Sequence, residues 1–330
     1  MLSINRVTRN KTIKLSGSDE NRLAAKCVQL KSKTTADKIL DKTINQNLFE
    51  AAEFLPEEFV DLLFIDPPYN MNKEFNSTKF KGTSIEEYSE WIDSFIKKLL
   101  KCLKPDASIY FCGDWKSSTS IHTILNKYFK VKNRITWERE KGRGAKVNWK
   151  NNSEDIWFAV NSDNAYFDYE AVKIKRQVIA PYKNTNSEPK DWTAEAEGNF
   201  RLTHASNIWT DISVPFWSMA ENTEHPTQKP EKLLAKIILA SSKPGDVVMD
   251  PFLGSGTTSV TAKKLGRNYV GIEIDRSFAC LAEKRLELAE VDKTIQGFND
   301  GIFWERNTGS NVRSAPSILK VDSRQEKFHY

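Results

Sequence analysis

The segment Val60-Asp61-Leu62-Leu63-Phe64-Ile65 runs directly into Asp66-Pro67-Pro68-Tyr69. A near-continuous apolar run of this length suits a strand buried on both faces, as in a parallel sheet covered by helices on each side. The pattern returns in Val247-Val248-Met249-Asp250, again ending on an acid and followed by Pro251-Phe252-Leu253-Gly254-Ser255-Gly256-Thr257-Thr258. A buried strand accounts for the apolar residues. It does not account for a carboxylate, two prolines and an aromatic ring at its end.

Helical patterns alternate with these strands. KTINQN (42–47) reads as a strand, and LFEAAEFL (48–55) as a helical turn. Ser84 with Glu87 forms a capping box, after which Tyr88, Trp91, Ile92, Phe95, Leu99 and Leu103 share one helical face. Lys104-Pro105-Asp106 ends that helix, and further strands are expected at 107–113, 130–137 and 156–160. Pro230 is placed at the first position of the next helix. Gly266 closes the helix after the glycine turn, NYVGIEID (268–275) is another strand, and residues 276–292 form a last helix. Strand–helix alternation predicts a doubly wound, mostly parallel α/β sheet. Residues 1–35 read as a basic, poorly packed arm, either a solvated tail or a phosphate-seeking extension. Residues 36–160 and 223–294 form the two halves of the sheet domain, 161–222 a loop-rich insertion, and 295–330 a polar C-terminal extension.

Composition restricts the setting. With 39% hydrophobic residues and a net charge of +5, the chain has material for a core and a mildly basic surface. No apolar run approaches the roughly 20 residues of a membrane span, and the N-terminus lacks the apolar centre of a secretory signal. The four cysteines and four histidines show no metal-ligand or disulfide spacing, so no metal is expected. His122 and His204 read as surface or satisfied structural residues. A reduced, cytoplasmic protein fits best.

The glycine turn points to a ligand. Glycines let a ligand approach the backbone, and the helix behind them supplies free N–H groups. A phosphate-binding P-loop would need a lysine after its glycines, but Thr257 and Thr258 follow Gly256. A dinucleotide fingerprint needs a third glycine. A zwitterionic amino-acid ligand on the turn, with a ribose beyond, fits the residues. Glu273 ends the next strand at the separation where an acid takes ribose hydroxyls in a βαβ unit.

Asp66-Pro67-Pro68-Tyr69 together with Asp250-Pro251-Phe252-x-Gly254-x-Gly256 resembles the amino-methylating DNA methyltransferases that use S-adenosylmethionine. The first motif precedes the glycine turn across a long insertion, which is similar to the circularly permuted β group of that family. His225-Pro226-Thr227-Gln228-Lys229-Pro230 and Asn207-x-Trp209 add to the match, which runs from about residue 42 to 290. The resemblance implies a seven-stranded, Rossmann-like methyltransferase sheet and S-adenosylmethionine as cofactor. An exocyclic amine is a poor nucleophile because its lone pair is conjugated into the ring. Asp66 and the Pro67 carbonyl, held by the stiff Pro67-Pro68 pair, would accept its two N–H groups. Tyr69 would stack on a base flipped out of the duplex.

By the same resemblance, Asp66, Asp250, Phe252, Gly254, Ser255, Gly256, Thr257 and Glu273 line the cofactor pocket. Thr227, Gln228 and Lys229 lie near the methionine end. Asn47 stands where the family usually places an acid that accepts from the cofactor adenine, a role that an Asn carbonyl can also fill. The insertion 161–222 corresponds to the target-recognition region, with Lys173, Lys175 and Arg176 as phosphate contacts. Arg139, Lys141, Arg143 and Lys146 add a second basic loop. Basic residues of this kind supply affinity, and a few polar side chains read base edges.

The expected function is site-specific N6-adenine methylation of double-stranded DNA in a restriction-modification setting. N4-cytosine methylation is the alternative, since one pocket can hold either amino group. Asp at position 66, in place of Ser, leans toward adenine in this family. A nucleic-acid-binding protein with a non-catalytic pocket is the second alternative. A homodimer and a cognate endonuclease acting as a functional rather than physical partner are compatible with this reading.

Overall fold

The computed structural model describes residues 10–305, apart from 71–72, 76–77, 81, 140–146, 180–181 and 197. Its main sheet has eight strands: β1 (Lys42–Asn45), β2 (Val60–Ile65), β3 (Leu103–Gly113), β4 (Lys130–Glu138), β5 (Ser153–Val160), β6 (Ile208–Trp209), β7 (Val247–Asp250) and β8 (Asn268–Glu273). Their order is β1-β8-β7-β2-β3-β5-β4-β6. All neighbours pair in parallel except β5, which runs against both β3 and β4. The sheet thus has one strand more than the seven expected. The addition, β6, is a two-residue edge at Ile208–Trp209, too short to leave a period in the sequence.

Alternate residues of the central strands face opposite layers. Leu63 and Ile65 of β2 pack with helices α2 (Leu48–Phe54), α3 (Ile85–Leu99) and α4 (Ser118–Tyr128). Leu62 and Phe64 pack with helices α5 (Glu231–Ser241), α6 (Thr257–Lys264) and α7 (Arg276–Val291). This two-residue alternation, with both faces buried, explains the unbroken apolar run. Helix α3 has the predicted capping box: Ser84 Oγ accepts from Glu87 N–H at 3.1 Å, and Glu87 Oε2 accepts from Ser84 N–H at 3.1 Å. Its expected end at Lys104–Asp106 is too late. The helix stops at Leu99, one 3₁₀ turn follows, and β3 already begins at Leu103. Pro230 caps α5 rather than opening it, because its backbone is extended.

Two peripheral segments depart from expectation. Residues 10–35 are docked, not a poorly packed arm. Leu23 of helix α1 (Gly17–Ala24) is fully buried, Arg22 and Lys26 pair with Glu287, and Lys284 bonds Asp19 at 2.6 Å. Their basic residues are therefore partly neutralised by α7. Within 161–222, strands Ile174–Gln177, Thr193–Glu195 and Gly198–Thr203 form an antiparallel unit. Ile302–Trp304, from the expected C-terminal extension, joins it in parallel beside Ile174–Gln177. The shared core of Val172, Ile174, Ile295 and Phe303 ties this second sheet to α5. Among the described residues no helix is long and apolar enough to cross a membrane, and no cluster of His, Cys, Asp and Glu is arranged to hold a metal.

Candidate active site

Strands β2 and β7 are adjacent and parallel, with Leu62 and Leu63 opposite Val248 and Met249. Their carboxyl ends lie together, so Asp66-Pro67-Pro68-Tyr69 meets the glycine turn at one rim. The crevice outside the carboxyl ends of such strands is where open α/β sheets bind ligands. A cleft of about 600 Å³ opens there. It reaches from Asn47 and Glu273 at one end to Tyr69 and Glu154 at the other.

At the Tyr69 end Asp66 is held from two sides. Lys229 Nζ donates to Asp66 Oδ2 at 2.6 Å, and Tyr69 O–H lies 3.0 Å from Asp66 Oδ1. Lys229 Nζ is also 3.1 Å from Tyr69 Oη and 3.4 Å from Glu154 Oε2. Glu154 Oε1 accepts from Arg139 in an ion pair. Burial raises the Asp66 carboxyl above its ordinary range, against the opposing pull of Lys229. Burial also works against the Lys229 ammonium, but Asp66 and Glu154 together outweigh it and hold it charged. Burial and the two carboxylates push the Tyr69 hydroxyl well above its ordinary range, so it stays a donor. The Pro68 carbonyl is taken by Tyr88 O–H at 3.0 Å. Among the described residues no donor reaches the Pro67 carbonyl, which leaves it for a ligand.

The other end is built on the glycine turn. Asp250 Oδ1 accepts from Phe252 N–H at 2.9 Å and Oδ2 from Thr258 O–H at 2.6 Å, so the acid that ends β7 shapes the turn. Glu273 Oε2 accepts from Gly254 N–H at 2.7 Å and Oε1 from Asp275 N–H at 2.7 Å. Burial pushes both Asp250 and Glu273 up to about 7. Gly254 and Gly256 adopt positive φ of 55° and 82°. The expectation that both glycines make room for a ligand needs correcting. A Cβ at Gly256 would meet Ala282 Cβ at 2.6 Å, so that glycine admits α7, and it does not line the cleft. A Cβ at Gly254, which does line it, would meet His225 Nε2 at 3.0 Å.

Of the other expected pocket residues, Asn47, Phe252, Ser255 and Thr257 line the cleft. Asn47 Oδ1 already caps α2 by accepting from Phe49 N–H at 2.8 Å. Phe252 packs on Trp91 and Phe95, with ring centroids 5.9 and 5.1 Å away. Ser255 O accepts from buried Arg285 at 2.9 Å, and Thr257 O–H donates to the Lys229 carbonyl at 3.0 Å.

The three-residue assignment around Lys229 divides. Thr227 and Gln228 line the cleft, but Gln228 braces its own loop: its Oε1 accepts from Thr223 N–H at 2.9 Å and its Nε2 donates to Glu221 O at 2.7 Å. The side chain of Lys229 lies at Asp66, at the Tyr69 end of the cleft.

The basic residues assigned to DNA are placed differently from expectation. Arg139 lines the cleft and pairs with Glu154, so it joins the Asp66–Tyr69–Lys229–Glu154 cluster. Lys173 pairs with Glu170, Lys175 with Glu195 at 2.6 Å, and Arg176 with Glu305 at 3.3 Å. All three cations are half-buried in pairs with these carboxylates. Lys141, Arg143 and Lys146 lie outside the described residues.

Sequence reasoning missed Glu154, Trp91 and Asp275. Glu154 stands near the start of β5 and reaches the carboxyl rim of its neighbours because that strand is reversed. Only the pairing direction reveals this. Asp275 had a readable signal, since it accepts from Ser277 and Phe278 N–H as the cap of α7.

The chain is similar to known proteins. Residues 60–284 match the N6/N4 methyltransferase family, described as DNA methylase. The DNA adenine methyltransferase YhdJ of Escherichia coli (strain K12) is 32% identical over 242 residues, covering 71% of this chain and 79% of its own. The type II methyltransferase M.HpaI of Haemophilus parainfluenzae is 30% identical over 284 residues, covering 84% and 82%. The solved structure of the PvuII DNA methyltransferase (cytosine-N4-specific) is similar in fold, with a TM-score of 0.52, 19% identity and coverage of 76% of this chain and 91% of its own. The matched stretch covers most of the sheet and the rim described above, and this chain belongs to the N6/N4 family of DNA methylases.

Proposed function

We propose that this protein transfers the methyl group of S-adenosylmethionine to the N6 amine of adenine in double-stranded DNA, as the modification enzyme of a restriction-modification system. The observation that carries this is the meeting of the Asp66–Tyr69 segment with the glycine turn in one cleft. The name of the adenine methyltransferase relative supports adenine over cytosine, and that of the type II relative supports the restriction-modification setting. The motif order supports a circularly permuted sheet. The absence of a membrane-spanning helix among the described residues agrees with a cytoplasmic location.

The cleft fits the cofactor. Buried Asp250 and Glu273, with Asp275, give it acidic walls suited to a cationic sulfonium, whereas the Asp66 charge is matched by Lys229, and Phe49, Phe252 and Phe278 give it aromatic walls. When bound, S-adenosylmethionine supplies an electrophilic methyl group. Asp66 accepts one N–H of the target amine and the Pro67 carbonyl accepts the other. Two acceptors draw the nitrogen out of conjugation and orient its lone pair. The Tyr69 ring offers a stacking face for the extruded base. Phe252 and the Gly254 backbone hold the cofactor end of the cleft.

The acids make a pH prediction. Folding raises Asp250 from 3.8 and Glu273 from 4.5 to about 7. The folded chain thus keeps protons that the unfolded chain loses between those limits. These two groups therefore remove stability as pH rises through that window, with no further loss above about 7. A bound cation pulls both acids down and displaces their protons, so cofactor affinity should rise about tenfold from roughly pH 5.5 to pH 7.5. Calorimetry with S-adenosylmethionine at the two pH values checks it, and a flat or falling affinity is the contrary result. The base assignment is tested by digesting enzyme-treated plasmid to nucleosides for mass spectrometry. N6-methyladenine is expected, and N4-methylcytosine would overturn the choice of base.

A further inference from the structure

Resting on the methyl-transfer reading, we propose that Glu154 is a positioning residue that takes over the Tyr69 hydroxyl when the target amine takes its place on Asp66. The hydroxyl sits between two carboxylates, 3.0 Å from Asp66 Oδ1 and 3.2 Å from Glu154 Oε2. A phenol has one proton, so it donates to one of them at a time. Asp66 Oδ2 is committed to Lys229 at 2.6 Å. Each carboxylate oxygen has two acceptor sites, so the geometry assigns the incoming N–H to Oδ1, where it competes with a neutral phenol donor and not with the Lys229 ammonium held on Oδ2.

Donation to Glu154 instead needs only a turn of the hydroxyl. The ring stays in place to stack, and the buried donor is never left without an acceptor, which would oppose binding. Glu154 is suited to this. Its side chain is buried, and Arg139 holds Oε1, which keeps Oε2 turned toward Tyr69. Lys229 Nζ lies 3.1 Å from Tyr69 Oη and 3.4 Å from Glu154 Oε2. It can donate to the phenol oxygen whichever carboxylate receives the proton. The exchange moves one hydrogen bond and transfers no proton.

A double-mutant cycle tests this, using tritiated methyl transfer to phage DNA from a methylation-deficient host. Glu154→Ala should lower kcat about 30-fold, with cofactor affinity within about threefold of wild type. Glu154→Gln keeps an acceptor oxygen for Tyr69 but turns its NH2 toward Arg139, so it should recover only part of the loss, to within about tenfold of wild type. In a Tyr69→Phe background the hydroxyl needs no new partner, so Glu154→Ala should cost less than about threefold. Equal losses in both backgrounds would overturn the inference, since Glu154 would then act through Lys229 or Arg139 alone. If thermal melting shows that Glu154→Ala does not fold, Tyr69→Phe alone decides. KM for DNA should stay within about threefold of wild type, and a rise of tenfold or more overturns the inference. Wild-type turnover separates the two claims: no methyl transfer at all overturns the functional reading and this inference with it, whereas turnover with additive losses overturns the inference alone.

Discussion

Asp66→Asn is expected to lower kcat by about 10²–10³-fold while changing S-adenosylmethionine affinity by less than about threefold. The side chain keeps its shape but not its pattern of acceptors. Lys229 Nζ and Tyr69 O–H are both donors, aimed at Oδ2 and Oδ1 respectively. An amide presents two acceptor lone pairs on one oxygen and two protons on the other atom, so it must turn a donor toward one of these donors. It also leaves the Lys229 ammonium with Glu154 as its remaining carboxylate, at 3.4 Å. Asp66→Ala is the less clean variant, because removing one partner of a buried ion pair costs stability of about 3–5 kcal/mol and mixes folding with chemistry. Steady-state methyl transfer gives kcat, and calorimetry gives the cofactor affinity. An Asn variant that retained a tenth of wild-type turnover would remove Asp66 from the role of amine acceptor.

Arg285→Leu should lower unfolding free energy by about 3–5 kcal/mol and weaken cofactor binding with it. Arg285, on α7, is 2% exposed. Its guanidinium donates to Ser255 O at 2.9 Å, to Thr257 Oγ1 at 2.9 Å and to Glu231 Oε1 at 2.9 Å. One side chain thus joins α7, the glycine turn and the start of α5. Without it Glu231 keeps Lys264 at 2.7 Å but loses its most buried partner. The turn carbonyl at Ser255 also loses its donor. Denaturant unfolding measures the first effect, and calorimetry the second. A stability loss below about 1 kcal/mol would mean that the turn is held by its own hydrogen bonds.

Much of the fold was legible because its signals are local. The run Leu62–Ile65 reports burial on two faces, and Ser84 with Glu87 reports the start of a helix through hydrogen bonds closed within four residues. Helix α4 is equally legible from Ile121, Ile124 and Leu125 at helical spacing. The second sheet was not readable. Its strands are two to six residues long, and its parallel neighbour at Ile302–Trp304 comes from the other end of the chain. The same holds for residues 10–35, whose basic residues suggested a solvated tail until Glu287 and Lys284 of α7 were found beside them.

The sequence alone determined the parts of the site that are contiguous: the acid–proline–proline–aromatic segment, the two-glycine turn, and their order along the chain. Stiff prolines and positive-φ glycines impose their geometry within a few residues, so those motifs carry their meaning without the rest of the molecule. Only the tertiary structure decided which oxygens those motifs leave free. Lys229 reaches Asp66 from 163 positions away, and Glu154 joins them because β5 runs against its neighbours. It likewise decided that Gly256 admits Ala282 and that Arg139 faces the cleft. Side-chain partners across a sheet depend on strand order and direction. Those are set by burying the whole apolar surface at once, and no short stretch of sequence contains that information.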